Sequence, residues 1–236
     1  MTEREILSLA TTYFKDTVFE NHKLNVTKNH TKLSSYKINP ILVRYLSKIL
    51  EGEFTPLGVA KALYFPRVLS TSITTSFGTR IQNMFVELEL AQGSLIKGMD
   101  IEFIDKIDDR RKWCQLKAGP NTINSEDVSP LLRKFENVAN LARTNARDLN
   151  NSDLIIGVLY GSHSQLSQHY LKIDQTYPVY TGSDFWNRIT GFETFYDRLV
   201  IGLNDVIDGL DSGGFFEKGY LKLAQEVQTS DLFDFS

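Results

Sequence analysis

Residues 98–121, GMDIEFIDKIDDRRKWCQLKAGPN, constrain this chain more than any other stretch. They predict a β-hairpin. Side chains alternate along a strand, so Asp100, Glu102 and Ile104 share one face of the first strand. Trp113, Gln115 and Lys117 likewise share one face of the second. The polar run 105–111, with Asp108 and Asp109, suits the turn, and Gly119-Pro120 ends the second strand. If the two polar faces coincide, two carboxylates, an amide and an ammonium meet at one point.

That set of groups suits metal-assisted hydrolysis of a phosphodiester. Mg²⁺ is a hard cation that takes carboxylate and carbonyl oxygens plus waters. It neutralises the phosphate and lowers the pKa of a bound water. A lysine beside it steadies the attacking water and the charge that builds on phosphorus. An ordinary amphipathic hairpin with a solvated face would carry the same pattern, so the rest of the chain must decide.

With 236 residues, the chain is long enough for one good-sized domain with a helical annex. Apolar content of 42% and charged content of 23% are those of a soluble globular protein. The one cysteine, Cys114, excludes an intramolecular disulfide and points to a reducing, cytoplasmic setting. The N-terminus MTEREILSLA is not a signal peptide, and no stretch approaches a membrane span. A net charge of −3 gives no global nucleic-acid signature, although a local basic surface can still bind phosphate.

Residues 2–20 predict a helix, with Thr2 and Glu5 as a capping box. Residues 21–37 form the most basic segment, with Lys28, Lys32 and Lys37 and no acid. This is either a solvated loop or a phosphate-contacting arm. Asn39 and Pro40 open a second helix, whose expected buried stripe is Ile41, Leu42, Tyr45, Leu46, Ile49 and Leu50, and Gly52 stops it. A third helix spans about 55–64, and Pro66 ends that unit. After a Ser/Thr-rich run, 79–91 predicts a helix. Beyond the hairpin, a long helix covers about 127–149, with Arg133, Lys134, Arg143 and Arg147 on its surface away from the core. The apolar run 153–160 predicts a central strand buried on both faces. The polar loop 161–169 follows, then short strands at 170–173 and 177–180, a helix capped by Ser183, and helices at about 193–208 and 216–227.

Helical annex, helix, hairpin, helix, strand, strand is an α/β pattern with a mixed sheet. Asp100, then Gln115-Leu116-Lys117, resembles the PD-(D/E)XK nuclease superfamily. Further landmarks over residues 36–192 narrow the resemblance. They are the Ile38-Asn39-Pro40 helix start, the Phe77-Gly78 helix start, Leu116-Lys117-Ala118-Gly119, the strand from Ile156 to Gly161, and the segment from Val179 to Trp186. In this order they resemble type II restriction endonucleases, in particular the group that cuts interrupted palindromes centred on GG-N-CC. The resemblance implies a restriction-endonuclease-like mixed sheet flanked by helices in a single domain. That domain would have a helical part at 1–70, a catalytic core at 71–192 and C-terminal helices at 193–236. It also implies Mg²⁺-dependent cleavage of both strands of duplex DNA leaving 5′-phosphates, by a homodimer, with a cognate methyltransferase as system partner.

Carried onto this chain, the resemblance makes Asp100 the metal ligand and Lys117 the base that orients water and phosphate. Gln115 stands where many members have a carboxylate, so a second acid is expected. Glu102 suits by strand phase. A helix ahead of the first catalytic strand often supplies an acid or amide in this superfamily, which makes Glu87 the candidate there and Gln82 its alternative. Reading guanine edges needs hydrogen-bonding side chains in the major groove. The candidates for DNA contact are Lys28, Lys32, Lys37, Asn121, Ser162, His163, Gln165 and His169. There is no zinc-ligand spacing and no phosphate-binding glycine loop, so neither zinc nor ATP is expected. A repair or mobile-element nuclease of the same fold, or a non-catalytic DNA-binding module, are the competing readings.

Overall fold

The computed structural model describes residues 1–145, 148–210 and 213–235. In chain order the elements are α1 (Glu3–Tyr13), a π-helical segment (Phe14–Glu20), α2 (Asn21–Asn29), α3 (Pro40–Glu51), α4 (Pro56–Pro66), a second π-helical segment (Arg67–Ser72) and α5 (Ile73–Glu87). Then come β1 (Gln92–Gly93), β2 (Ile101–Ile104), β3 (Arg111–Lys117), α6 (Ser125–Thr144), β4 (Leu154–Val158), α7 (Gln168–Asp174), β5 (Val179–Thr181), α8 (Gly182–Thr190), α9 (Phe195–Asp208) and α10 (Phe215–Gln228). The chain divides into two compact units, residues 1–13 with 78–206, and residues 14–77 with 207–236. Among the described residues, no helix is long and apolar enough to cross a membrane.

The first unit is built on a five-stranded sheet in the order β1-β2-β3-β4-β5. The first three strands run antiparallel, and β3, β4 and β5 run parallel. All five residues of β4 are buried, as its continuous apolar run requires. Leu154, Ile156 and Val158 face a core shared with Leu131 and Phe135 of α6 and Tyr170 and Ile173 of α7. On the opposite face, Gly157 lies against the Phe185 ring of α8, and any Cβ at 157 would overlap that ring. Phe85, Phe103 and Trp186 extend this aromatic layer, and Trp186 stacks on Phe195 at 5.5 Å. The result is a mixed α/β sheet flanked by helices, with an N-terminal helical region, in line with the restriction-endonuclease fold.

The second unit is helical, with Val26, Val43, Val59, Tyr64, Val68, Leu223 and Val227 at its centre. Several local signals hold in the structure. Asn39 Oδ1 accepts the Ile41 and Leu42 amides, Pro40 opens α3, and Gly52 ends it in the left-handed region at φ 80°. Thr2 and Glu5 form their reciprocal cap.

Four expectations are corrected. The stripe assigned to the core side of α3 faces outward: Ile41, Tyr45 and Ile49 are 79%, 63% and 60% exposed, with Leu42, Leu46 and Leu50 beside them. The face that packs holds Val43 and Ser47, and Ser47 Oγ accepts the Thr55 amide at 3.2 Å. The basic segment 21–37 is not an open loop, because α2 takes its first half. Pro66 does not end its helical run. The chain continues helically through the Ser/Thr-rich stretch, where Thr74 Oγ1 donates to the Ser70 carbonyl and Val68 is buried. Residues 170–173 are helical, not a strand, because Tyr170 and Ile173 reach the core at a three-residue spacing. The strand β1 was not anticipated. Of the long helix expected over 127–149, α6 supplies 125–144, and Arg147 lies outside the described residues.

Candidate active site

The hairpin pairs Glu102 with Trp113 and Ile101 with Cys114. The Asp100 amide donates to the Cys114 carbonyl at 2.9 Å, carrying the ladder one step past β2. That register sets Asp100 opposite Gln115 and brings the two polar faces together, with Lys117 two residues on.

Backbone contacts fix Asp100. Its Oδ2 accepts the Leu116 amide at 2.8 Å, and Gln82 Nε2 of α5 donates to its carbonyl at 3.0 Å. Burial raises the Asp100 carboxyl above its ordinary value, against the pull of the Leu116 amide, Lys117 and Lys134. Burial likewise lowers the Lys117 ammonium, with Asp100 and Asp127 opposing and Lys134 assisting. Each group is thus held toward its neutral form. Gln115 is buried, and its Oε1 has no hydrogen-bond partner among the described residues. A buried acceptor left unpaired costs about 1–3 kcal/mol, which a cation would offset.

These donors fit a hard divalent cation. Among the described residues, no cluster of three or more His, Cys, Asp or Glu side chains forms a complete cage. Mg²⁺ does not need one, since it binds through one or two protein oxygens and completes its shell with water and phosphate. Asp100 and the unpaired Gln115 oxygen supply that minimum.

The other expected residues are placed as follows. Glu102 lies two positions along β2, roughly 7 Å from Asp100 at the rise of a strand. Its carboxylate accepts from Ser94 at 2.8 Å and from Gln92 and Arg111 at 3.3 Å each. Glu87 is exposed in the last turn of α5, while Gln82, the alternative, touches the Asp100 backbone. Lys28, Lys32 and Lys37 are exposed in the helical unit.

Two loops flank Lys117 at the carboxyl ends of β3 and β4. The Leu159 amide donates to the Lys117 carbonyl at 3.1 Å, and the Ser167 amide to the Pro120 carbonyl at 3.0 Å. Tyr160 lies so close over Gly119 that a Cβ there would strike its hydroxyl. Ligands of open α/β sheets bind at this edge. Asn121, Ser162, His163 and Gln165 are exposed here, and His169 is half-buried on α7. Part of this loop bonds to itself, since Gln165 Oε1 accepts the Ser162 amide and His163 Nε2 meets Asp174 Oδ2 at 2.8 Å.

Sequence reading missed Asp127 and Lys134 of α6, whose charges act on the site, Asp127 on Lys117 and Lys134 on both Asp100 and Lys117. Lys134 is on the surface, as its sequence position implies, yet its charge reaches the site. Its spacing from buried Leu131 was the available signal, because 127, 131 and 134 follow one helical stripe.

No curated protein matches the chain. A family profile described as type II restriction endonuclease EcoO109I matches residues 54–207, which include the whole sheet and every group of this centre. With more than half its length matched, and with the mixed sheet that carries Asp100, Gln115 and Lys117, the chain belongs to the type II restriction endonuclease EcoO109I family.

Proposed function

We propose that the protein is a Mg²⁺-dependent, site-specific endonuclease that hydrolyses both strands of duplex DNA and leaves 5′-phosphates. The observation that carries this reading is the unpaired Gln115 oxygen set opposite Asp100, with Lys117 beside them, in a chain of this family. The centre is read as a PD-(D/E)XK site with an amide at the second acidic position. The repair-nuclease and binding-module alternatives gain no specific support.

Asp100 and Gln115 would hold the cation, with Glu102 as a further acid within one strand repeat. When bound, the cation supplies charge neutralisation of the phosphate and an acidified water. The rest falls to the chain's own residues. The Leu116 amide fixes the Asp100 rotamer through Oδ2, leaving Oδ1 to face a ligand. Lys117, with its ammonium lowered by burial, exchanges a proton with the attacking water more readily than a solvated lysine. In its charged form it stabilises the negative charge on the phosphoryl oxygens. Lys134 adds a second cation beside the same phosphate.

The exposed stripe of α3 supports the homodimer. Its six large apolar side chains are all exposed on one helix, a contiguous patch of the kind that marks a protein–protein interface. A two-fold dimer places one centre on each strand of a palindrome. The proposed site is an interrupted GC-rich palindrome of the GG-N-CC type, contacted from the loops after β3 and β4 and from Lys28, Lys32 and Lys37. A cytoplasmic setting with a protecting methyltransferase follows from this activity.

Digestion of unmethylated phage DNA, with the ends sequenced, tests the proposal. Discrete fragments sharing one palindromic junction are expected. A smear, or ends without a common sequence, would overturn site-specific cleavage.

A further inference from the structure

The helical unit holds a polar pocket of about 510 Å³ that the catalytic centre does not use. Asn25, Asn29 and His30 approach it from α2 and its end, and Arg67, Ser72 and Ser76 from the segment after α4. None of the described lining residues is acidic. Residues 21–86 carry nine lysines and arginines against two glutamates, Glu51 and Glu53, in a chain whose net charge is −3.

His30 is 5% exposed, and neither ring nitrogen has a hydrogen-bond partner among the described residues. Burial, then the charges of Arg67 and His22, lowers its pKa, so the ring is neutral and offers one N–H. Asn25 Nδ2 donates to Ser72 Oγ at 3.4 Å, which leaves the Ser72 hydroxyl proton free to point elsewhere. Asn29 Nδ2 is turned to Asn25 Oδ1, which ties the two amides of α2 together. The pocket is thus lined by the Arg67 guanidinium, serine and threonine hydroxyls, two amides and the unpaired His30 ring, and, among the described residues, by no carboxylate. A lining with a cation and hydroxyl donors but no carboxylate favours a negatively charged ligand. A phosphate oxyanion answers that charge and accepts from each of these donors, whereas water supplies no charge. Lys28 follows Asn25 by three residues on α2, and Lys32 lies just past the end of that helix; both are exposed, so the basic surface extends beyond the pocket as a polyanion would require.

We infer that this pocket is a second phosphate-binding site, remote in sequence from the catalytic centre, that takes a backbone phosphate of duplex DNA on His30, Arg67 and Ser72. It rests on the endonuclease reading only for the source of the phosphate.

The test uses the full chain without divalent metal, so that it does not depend on cleavage. Anisotropy of labelled duplex DNA is measured across a salt series for wild type, Arg67→Ala and His30→Gln, alongside inorganic phosphate titrations followed at the His30 ring proton by NMR. Expected are a loss of about tenfold in DNA affinity for Arg67→Ala and a salt slope shallower by about one, independent of DNA sequence. Phosphate should also shift the His30 signal in wild type but not in Arg67→Ala. A phosphate response with unchanged DNA binding in both variants would overturn DNA as the source and leave a site for free phosphate or a nucleotide. No response in either arm would overturn the site. His30→Gln keeps a polar group of similar size, so it decides the matter if Arg67→Ala unfolds. If wild type bound DNA as expected here but did not cleave it with metal, the endonuclease reading alone would fail.

Discussion

At the scale of single residues, Gln115 separates this centre from one with two acids. Replacing it by glutamate adds a full negative charge beside Asp100 at nearly constant shape. Gln115→Glu should reduce the Mg²⁺ needed for half-maximal cleavage by about tenfold with the cut positions unchanged, since ligand charge sets cation affinity. Cleavage titrated against Mg²⁺ reads this, and an unchanged or weakened requirement would remove Gln115 from the coordination shell. A second residue-scale group is structural. Lys112 is fully buried in β3, and its ammonium reaches Asp108 at 2.6 Å and Asp153 at 3.1 Å, while Arg110 holds both Asp153 oxygens. Burial would raise Asp153, but Arg110 and Lys112 together depress it. A depressed carboxyl contributes stability above its unfolded value near pH ~3.9, and that contribution is lost as pH falls through the lower folded value. Asp153→Asn should therefore cost about 3 kcal/mol near neutrality and flatten the loss of stability below about pH 4. Denaturant melts against pH would show it, and parallel curves for the two proteins would refute it. Alternation along the hairpin made Asp100, Gln115 and Lys117 legible in the sequence. The pairing of Lys112 with Asp153 was not, because it joins β3 to the turn before β4, about forty residues on, through burial that composition does not reveal.

At the scale of elements, glycine positions set how closely layers approach. Gly157 admits Phe185 of α8 onto β4, where a methyl group would overlap the ring. Gly157→Ala should destabilise the protein by about 2 kcal/mol through overpacking, with the sheet retained, and thermal or denaturant melts would measure it. A neutral result would mean that α8 can shift freely, against the tight aromatic layer of Phe85, Phe103 and Trp186. The α3 caps and the continuous apolar run were readable because they are local: Asn39-Pro40, Gly52 and β4 stand where their chemistry puts them, whereas Ser183, expected to cap α8, lies inside that helix behind Thr181. Tyr170–Ile173 was not, because four residues fit a period of two as well as one of 3.6, and only the tertiary packing of Tyr170 and Ile173 decides. The α3 stripe failed differently. Its periodicity was helical, as read, but an apolar stripe does not say whether its partner lies in the same chain.

At the scale of the whole molecule, that stripe carries the argument for a dimer. Tyr45→Asp combined with Ile49→Asp should leave a folded monomer near the 26.9 kDa of one chain, where light scattering of wild type should give twice that mass. On plasmid DNA the variant should nick single strands and linearise slowly. If it remains dimeric, α3 is not the interface.

Asp100, Gln115 and Lys117, brought together by the pairing of β2 with β3, carry the proposed cleavage. The direct measurement is single-turnover cleavage of unmethylated duplex DNA with Mg²⁺ titrated from zero, for wild type, Asp100→Ala and Lys117→Ala, with metal-free DNA affinity measured in parallel. Expected are cleavage only with metal, rates at least about 10²-fold lower in both variants, and DNA affinity within a few-fold of wild type. Variants that cut at the wild-type rate, or wild type that cuts in the presence of a chelator, would contradict this mechanism.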